Sequence, residues 1–209
     1  MLGLCLGLVV APTDLQQGEV YRIIYMHVPA AWMSMLLYCV ACGYAMLNWI
    51  YRNQVSAVMM HAFLPTGAWM TALALVTGAL WGKPTWGTYW VWDARMTSEL
   101  LLLFIYLGLM ATTQLTQDPS KVDRLLAVGL LIGLVNIPLI YFSVVFLNTL
   151  HQGYSVKLSG QSLHIDMARA LWLSVLGFWL LCAAVVLRRA KGLLVQRRVS
   201  RPDVAERLV

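Results

Sequence analysis

Long apolar runs separated by short polar segments dominate the chain. Five runs are long enough to cross a bilayer as helices, which takes roughly 17–25 apolar residues. They are Ala31–Ile50, a run within Val55–Leu80, Leu100–Gln117, a run within Leu125–Leu150, and Ala170–Leu187. Barrel strands would be about half as long and would alternate in polarity, so the pattern predicts helices. Met1–Val10 is apolar but too short to span, and it lacks the basic start of a signal peptide. It reads as the end of a further helix, which would bring the spans to six. The prediction is an all-α, polytopic transmembrane bundle. No linker, repeat or second domain interrupts residues 1–209, which read as one integral membrane domain.

Composition agrees with the pattern. Of 209 residues, 60% are hydrophobic and 11% are charged, against about 25% charged in a soluble domain. Lipid must cover part of the surface. The net charge of +6 is concentrated after the last apolar run, at Arg188, Arg189, Lys191, Arg197, Arg198, Arg201 and Arg207. Residues 188–209 therefore read as a basic cytoplasmic tail rather than a nucleic-acid face. With that tail inside, ten of the 15 Lys and Arg fall on the cytoplasmic side and five outside, the direction of the positive-inside rule. The cytoplasmic turns are then Tyr51–Gln54 and Asp118–Arg124. The outer segments are longer: Pro12–Ala30, Trp81–Glu99 and Gln152–Arg169. Function concentrates in longer, richer loops. Cys39 and Cys42 match a C-x-x-C spacing, but with no basic neighbour to activate a thiol they read as small helix-packing residues. No C-x-x-C-H is present, so the chain is not itself a c-type cytochrome.

The outer segment at 81–99 is the richest. Four of the nine Trp residues fall at 81, 86, 90 and 92, with Tyr89 among them. An aromatic belt needs only one or two per helix end. The cluster predicts a flat platform for a flat ligand, since Trp is large and rigid and stacks well. His27 precedes the first full span and His151 follows the fourth. Four spans separate them, and the Trp segment lies between the second and third, so parity places all three on one membrane face. Two histidines flanking an aromatic platform suit bis-imidazole ligation of haem iron. His164 competes as a ligand, while His61 falls on the other side and reads as structural. Arg22, Lys83 and Arg95 are candidates to pair with haem propionates, Arg most suitably because its planar fork matches a carboxylate. Arg95 has Asp93 or Glu99 as alternative partners, and Asp93 could instead cap the helix that follows it. No nucleophile–base pair, phosphate loop or metal-cluster spacing points to an enzyme. Rival readings are a Trp-gated channel or transporter, an electron-transfer haem protein, and a haem-free assembly subunit docking through its Trp face. A transporter would show ionisable residues inside its spans, and the predicted spans hold only His61, near an end.

Trp86-Gly-Thr-Tyr-Trp-Val-Trp-Asp-Ala-Arg-Met-Thr-Ser-Glu-Leu100 closely resembles the tryptophan-rich "WWD" signature of the CcmC, CcmF and CcsA haem-handling membrane proteins. Gln16-Gln-Gly, Tyr21-Arg-Ile-Ile-Tyr-Met-His-Val-Pro-Ala-Ala31 and Asn148-Thr-Leu-His-Gln-Gly153 resemble landmarks of the CcmC branch. The resemblance runs from about Ala11 to about Arg189. It departs at Phe146-Leu147, where the family pattern has a Trp pair. The resemblance implies six helices and haem b held transiently, without a covalent bond, at the periplasmic face of the bacterial inner membrane. His27 and His151 correspond to the axial ligands. The WWD segment, with Trp81, Trp86, Tyr89, Trp90, Trp92, Asp93 and Arg95, corresponds to the haem surface. The implied partners are the haem chaperone CcmE, which receives the haem, the ABC-type subunits CcmA and CcmB, and the small protein CcmD. Nucleic acid is not among them.

Overall fold

The computed structural model describes residues 2–147, 149–151, 156–157, 160–161 and 163–199. Five helical stretches are long and apolar enough to cross a membrane. They are built from α2 (Ile24–Tyr51), α3 (Gln54–Trp86), α4 (Ala94–Thr112), α5 (Pro119–Gly133) with α6 (Asn136–Phe146), and α7 (Ile165–Val199). A short helical turn, α1 (Leu2–Cys5), runs into a π-helical turn over Leu6–Val10, and a 3-10 turn over Glu19–Ile23 leads into α2. Val156–Lys157 (β1) and Gly160–Gln161 (β2) form a two-residue antiparallel pair. The chain is a multi-pass helical membrane protein.

Each spanning helix begins before its apolar stretch, because caps and polar turns extend helices that hydropathy alone cuts short, while α4 and α6 stop at Thr112 and Phe146, before their stretches end. Asn53 caps α3 by accepting from Ser56 N at 2.8 Å, and Asp93 caps α4 by accepting from Met96 N at 2.8 Å. Asp118 does the same for α5, where Pro119 occupies the first turn. Segments predicted as connections are therefore partly helix. Residues 81–86 finish α3, residues 94–99 open α4, and 119–124 open α5. The basic segment from Arg188 to Val199 continues α7, while residues 200–209 lie outside the described residues. The fourth span is divided: α5 stops at Gly133 and α6 begins at Asn136. Pro138 has no N–H to give to the Leu134 carbonyl, which accepts from Ile137 N at 3.1 Å instead.

Small side chains let the helices approach. Ala30, Ser34, Ala41 and Ala45 on α2 are fully buried, as are Ala57, Ala62 and Ala74 on α3 or nearly so. Cys42 belongs to this seam and donates to the Leu130 carbonyl at 3.3 Å, alongside Tyr38 Oη at 3.0 Å. Large apolar side chains such as Trp69, Phe104 and Leu180 face outward, as lipid contact requires. At the end of the bundle opposite His27, His61 Nε2 lies 2.8 Å from Asp123 Oδ1, and Arg197 grips the same carboxylate through two bonds of 2.7 and 2.9 Å. Arg189 reaches Thr66 Oγ1 at 3.3 Å. The basic residues of α7 thus close one end of the bundle rather than trailing from it.

Candidate functional site

The end of α2 that carries His27, the end of α3, the start of α4 and the segment after α6 converge around one cavity. Counting its open mouth, it holds about 680 Å³ of empty space, lined among others by His27, His151, Trp81, Trp86, Arg95 and Glu99.

His27 is buried and its ring is fixed from behind. Its Nδ1 lies 3.0 Å from the Ala74 carbonyl and 3.1 Å from Thr77 Oγ1. The Thr77 hydroxyl already donates to Leu73 O at 2.6 Å, so both groups can accept from an Nδ1–H. A carbonyl can only accept, so the bond assigns the proton to Nδ1 and leaves Nε2 with its lone pair. This is how a metal-binding imidazole is commonly oriented by its second nitrogen. Gly78 makes room for the ring, since a Cβ there would stand 3.0 Å from His27 Cε1. Pro29, two residues on, sits inside α2 without an N–H to give.

His151 faces His27 with ring centres 6.0 Å apart and planes inclined by 33°. Metal–imidazole nitrogen bonds run about 2 Å, so two imidazoles on opposite sides of one ion stand with centres roughly 6 Å apart. The observed spacing suits one ion between the two rings. Two neutral imidazoles are ligands for iron held in haem.

The Trp residues divide into two groups. Trp81 is buried in the last turns of α3, edge-on to His27 and to Tyr21 at 5.6 Å each. Its indole donates to Gln17 Oε1 at 2.7 Å. Trp86 stands against His151 at 6.3 Å. Both line the cavity. Trp90 and Trp92 pack edge-to-face on each other at 5.3 Å, and Tyr89 lies under Lys83 Nζ at 5.4 Å. These three are outside the cavity lining, and Tyr89 and Trp92 are exposed. The residues of the predicted platform thus divide between the cavity lining and the surface outside it. Helix α3 persists to Trp86 and ends at Gly87, whose φ of +80° suits glycine. Past that break the second half of the motif, residues 88–93, is non-helical.

Asp93 is buried and caps α4, and its other oxygen accepts from Thr149 Oγ1. Of the three cations considered for propionates, Arg95 lines the cavity and also reaches Ile140 O at 3.3 Å. Arg22 pairs with Glu19 and donates to Gly7 O at 2.7 Å, and Lys83 donates to Gly87 O at 3.0 Å. His164 is exposed beside Asp166 and does not line the cavity. Within the third landmark, Asn148 and residues 152–153 lie outside the described residues.

Sequence reasoning missed Glu99 as a cavity residue. The sequence places it at the end of an outer segment, yet it is buried on α4 and accepts from Ser34 Oγ at 2.7 Å. Arg95, Glu99 and Asp123 all lie within spanning helices, so the spans hold ionisable residues besides His61. Small residues at four-residue spacing, Ala74, Gly78 and Gly82 on α3, were the available signal for the cleft that admits His27.

The family model for "Heme exporter protein C" (CcmC) matches residues 1–205. The chain is 45% identical over 196 residues to "Heme exporter protein C" of Escherichia coli K12, covering 94% of this chain and 79% of that one. It is 43% identical over 190 residues to "Heme exporter protein C" of Bradyrhizobium diazoefficiens, covering 90% and 72%. A "Putative cytochrome c biosynthesis ccmC-like mitochondrial protein" of Marchantia polymorpha is 44% identical over 180 residues, covering 86% and 76%. By sequence, helical architecture and site composition together, this chain belongs to the CcmC, or haem exporter protein C, family of cytochrome c biogenesis.

Proposed function

We propose that the protein binds haem b non-covalently and transiently between His27 and His151 at the periplasmic face of the inner membrane, and presents it to the chaperone CcmE. The observation that carries this reading is the facing pair of imidazoles 6.0 Å apart, one of them oriented through Nδ1 by Ala74 O. Trp81 and Trp86 supply apolar wall beside the two rings, and Arg95 supplies a cation for a propionate. Tyr89 and Trp92, with the half-buried Trp90 packed against Trp92, offer an aromatic rim outside the cavity that suits partner contact. The protein's work is binding and presentation; bond-making chemistry belongs to the haem and its acceptor. CcmA, CcmB and CcmD are the further partners, and the end carrying His61 and Arg197 faces the cytoplasm.

The test is the optical spectrum of the chain purified in mild detergent, beside His27→Ala and His151→Ala. A Soret band in the parent that fades or shifts in both variants supports bis-histidine ligation. A parent without haem, even when coexpressed with the Ccm partners, overturns the reading and leaves a Trp-rich docking subunit.

A further inference from the structure

A polar chain whose middle links, Thr149 and Asp93, are outside the cavity lining ties His151 to the start of α4. The backbone N–H of His151 donates to Thr149 Oγ1 at 3.1 Å. The Thr149 hydroxyl donates to one oxygen of Asp93, and the other oxygen accepts from Met96 N at 2.8 Å. The donors on both sides point toward Asp93, which only accepts. Thr149 uses its hydroxyl once each way, and each Asp93 oxygen has its own donor. Asp93 is buried, and its carboxylate sits at a helix N-terminus where a negative charge is favoured. A hydroxyl bonded to an ionised carboxylate makes one of the stronger neutral-to-charged links.

His27 sits in the first turn of α2 and is held by Ala74 and Thr77 on α3. His151 follows α6, which ends at Phe146, and no helix or strand contains it. Its facing geometry therefore needs an anchor outside its own element. Asp93 is that anchor, because α4 also carries Arg95 and Glu99 into the cavity wall.

We propose that Asp93 and Thr149 are positioning residues for His151, with the aspartate of the WWD motif acting on the ligand segment from behind rather than on haem itself. This rests on His151 being an axial ligand. Asp93 clamps Thr149, Thr149 clamps the His151 backbone, and the imidazole is thereby presented to His27. Thr149 is outside the cavity lining, and a valine there keeps its shape while removing both bonds.

The experiment compares the purified full chain with Thr149→Val, Thr149→Ser and Asp93→Ser. A serine at 93 can still cap α4 but is too short to reach Thr149. Losing an outer partner of a metal ligand typically weakens binding by about 10–100-fold. Thr149→Val and Asp93→Ser should each weaken haem retention by about tenfold, with a spectrum that shifts toward that of His151→Ala. Added imidazole should restore the parent spectrum, and Thr149→Ser should bind as the parent does. Thr149→Val in the Asp93→Ser background should add little, since both break one chain. A parent-like spectrum in Thr149→Val, while His151→Ala loses ligation, overturns the inference and leaves the bis-histidine reading intact. So does loss in Thr149→Val that imidazole cannot rescue, or full additivity of the two changes. A parent without haem, or His151→Ala with an unchanged spectrum, is instead a failure of the bis-histidine reading.

Discussion

Gly78 lies so close to His27 that a Cβ on it would stand 3.0 Å from the imidazole Cε1. The neighbour is a buried ring tied by Nδ1 to Ala74 O on the same helix, so it has little freedom to yield. Gly78→Val should push the ring off its position and lower retained haem by at least tenfold, an effect of the size seen when a ligand's support is lost. Gly78→Ala should fall between parent and valine. Haem per mole of purified protein and the Soret position check this, with helical circular dichroism confirming that α3 is intact. Equal haem content in the valine variant would mean that His27 is not held where it ligates.

The division of the Trp motif gives a second expectation. Trp86 faces His151 at 6.3 Å, whereas Trp92 is 76% exposed and outside the cavity lining. Trp86→Ala should therefore cost haem retention in the isolated chain. Trp92→Ala should leave retention near the parent value and weaken transfer when CcmE is supplied. Haem content before and after incubation with CcmE separates the two. Equal loss of retention in both variants would restore the single-platform reading of the motif.

Much of this site was legible in the sequence, for identifiable reasons. Counting spans is a parity argument and survives errors at helix ends, so His27, His151 and the Trp segment were placed at one end without any fold in hand. Hydropathy could not say where helices stop. Trp81 and Glu99 read as loop residues because Lys83, Pro84 and Asp93 flank them, while backbone hydrogen bonding and the Asp93 cap carry helix through both. The division of the fourth span at Leu134–Val135 is likewise hard to read, since only Asn136 and Pro138 interrupt the apolar run there. The bond from Thr149 to Asp93 spans 56 residues and no local pattern announces it.

Away from the cavity, Gly67 tests the packing that supports it. A Cβ there would stand 2.2 Å from Tyr106 Cζ. Tyr106 is fully buried and its hydroxyl donates to Ser34 O at 2.8 Å, so the ring cannot swing aside without giving up that bond. Overpacking of this kind costs about 1–3 kcal/mol. Gly67→Ala should lower the unfolding midpoint in detergent and loosen α3 against α4. Gly108, with open space where its Cβ would sit, is the control, and Gly108→Ala should leave the midpoint unchanged or raised.

The opposite end of the bundle should answer to stability and not to haem. Asp123 holds Arg197 through two bonds and His61 through one, and its side chain is 14% exposed. Asp123→Ala removes the carboxylate that both side chains bond and leaves Arg197 beside His61 in a half-buried setting. Removing one partner of a fully buried pair costs about 3–5 kcal/mol, and partial exposure reduces that, so a loss of about 1–2 kcal/mol is expected. His61→Ala should cost less, because the two Arg197 bonds remain. Adding Arg197→Leu to Asp123→Ala should recover part of the loss, because no cation is then left without its partner. Thermal unfolding in detergent measures all four chains, and their haem spectra should overlay. A spectral change in His61→Ala would instead link this end to the haem site, and the two ends of the bundle would then have to be treated as coupled.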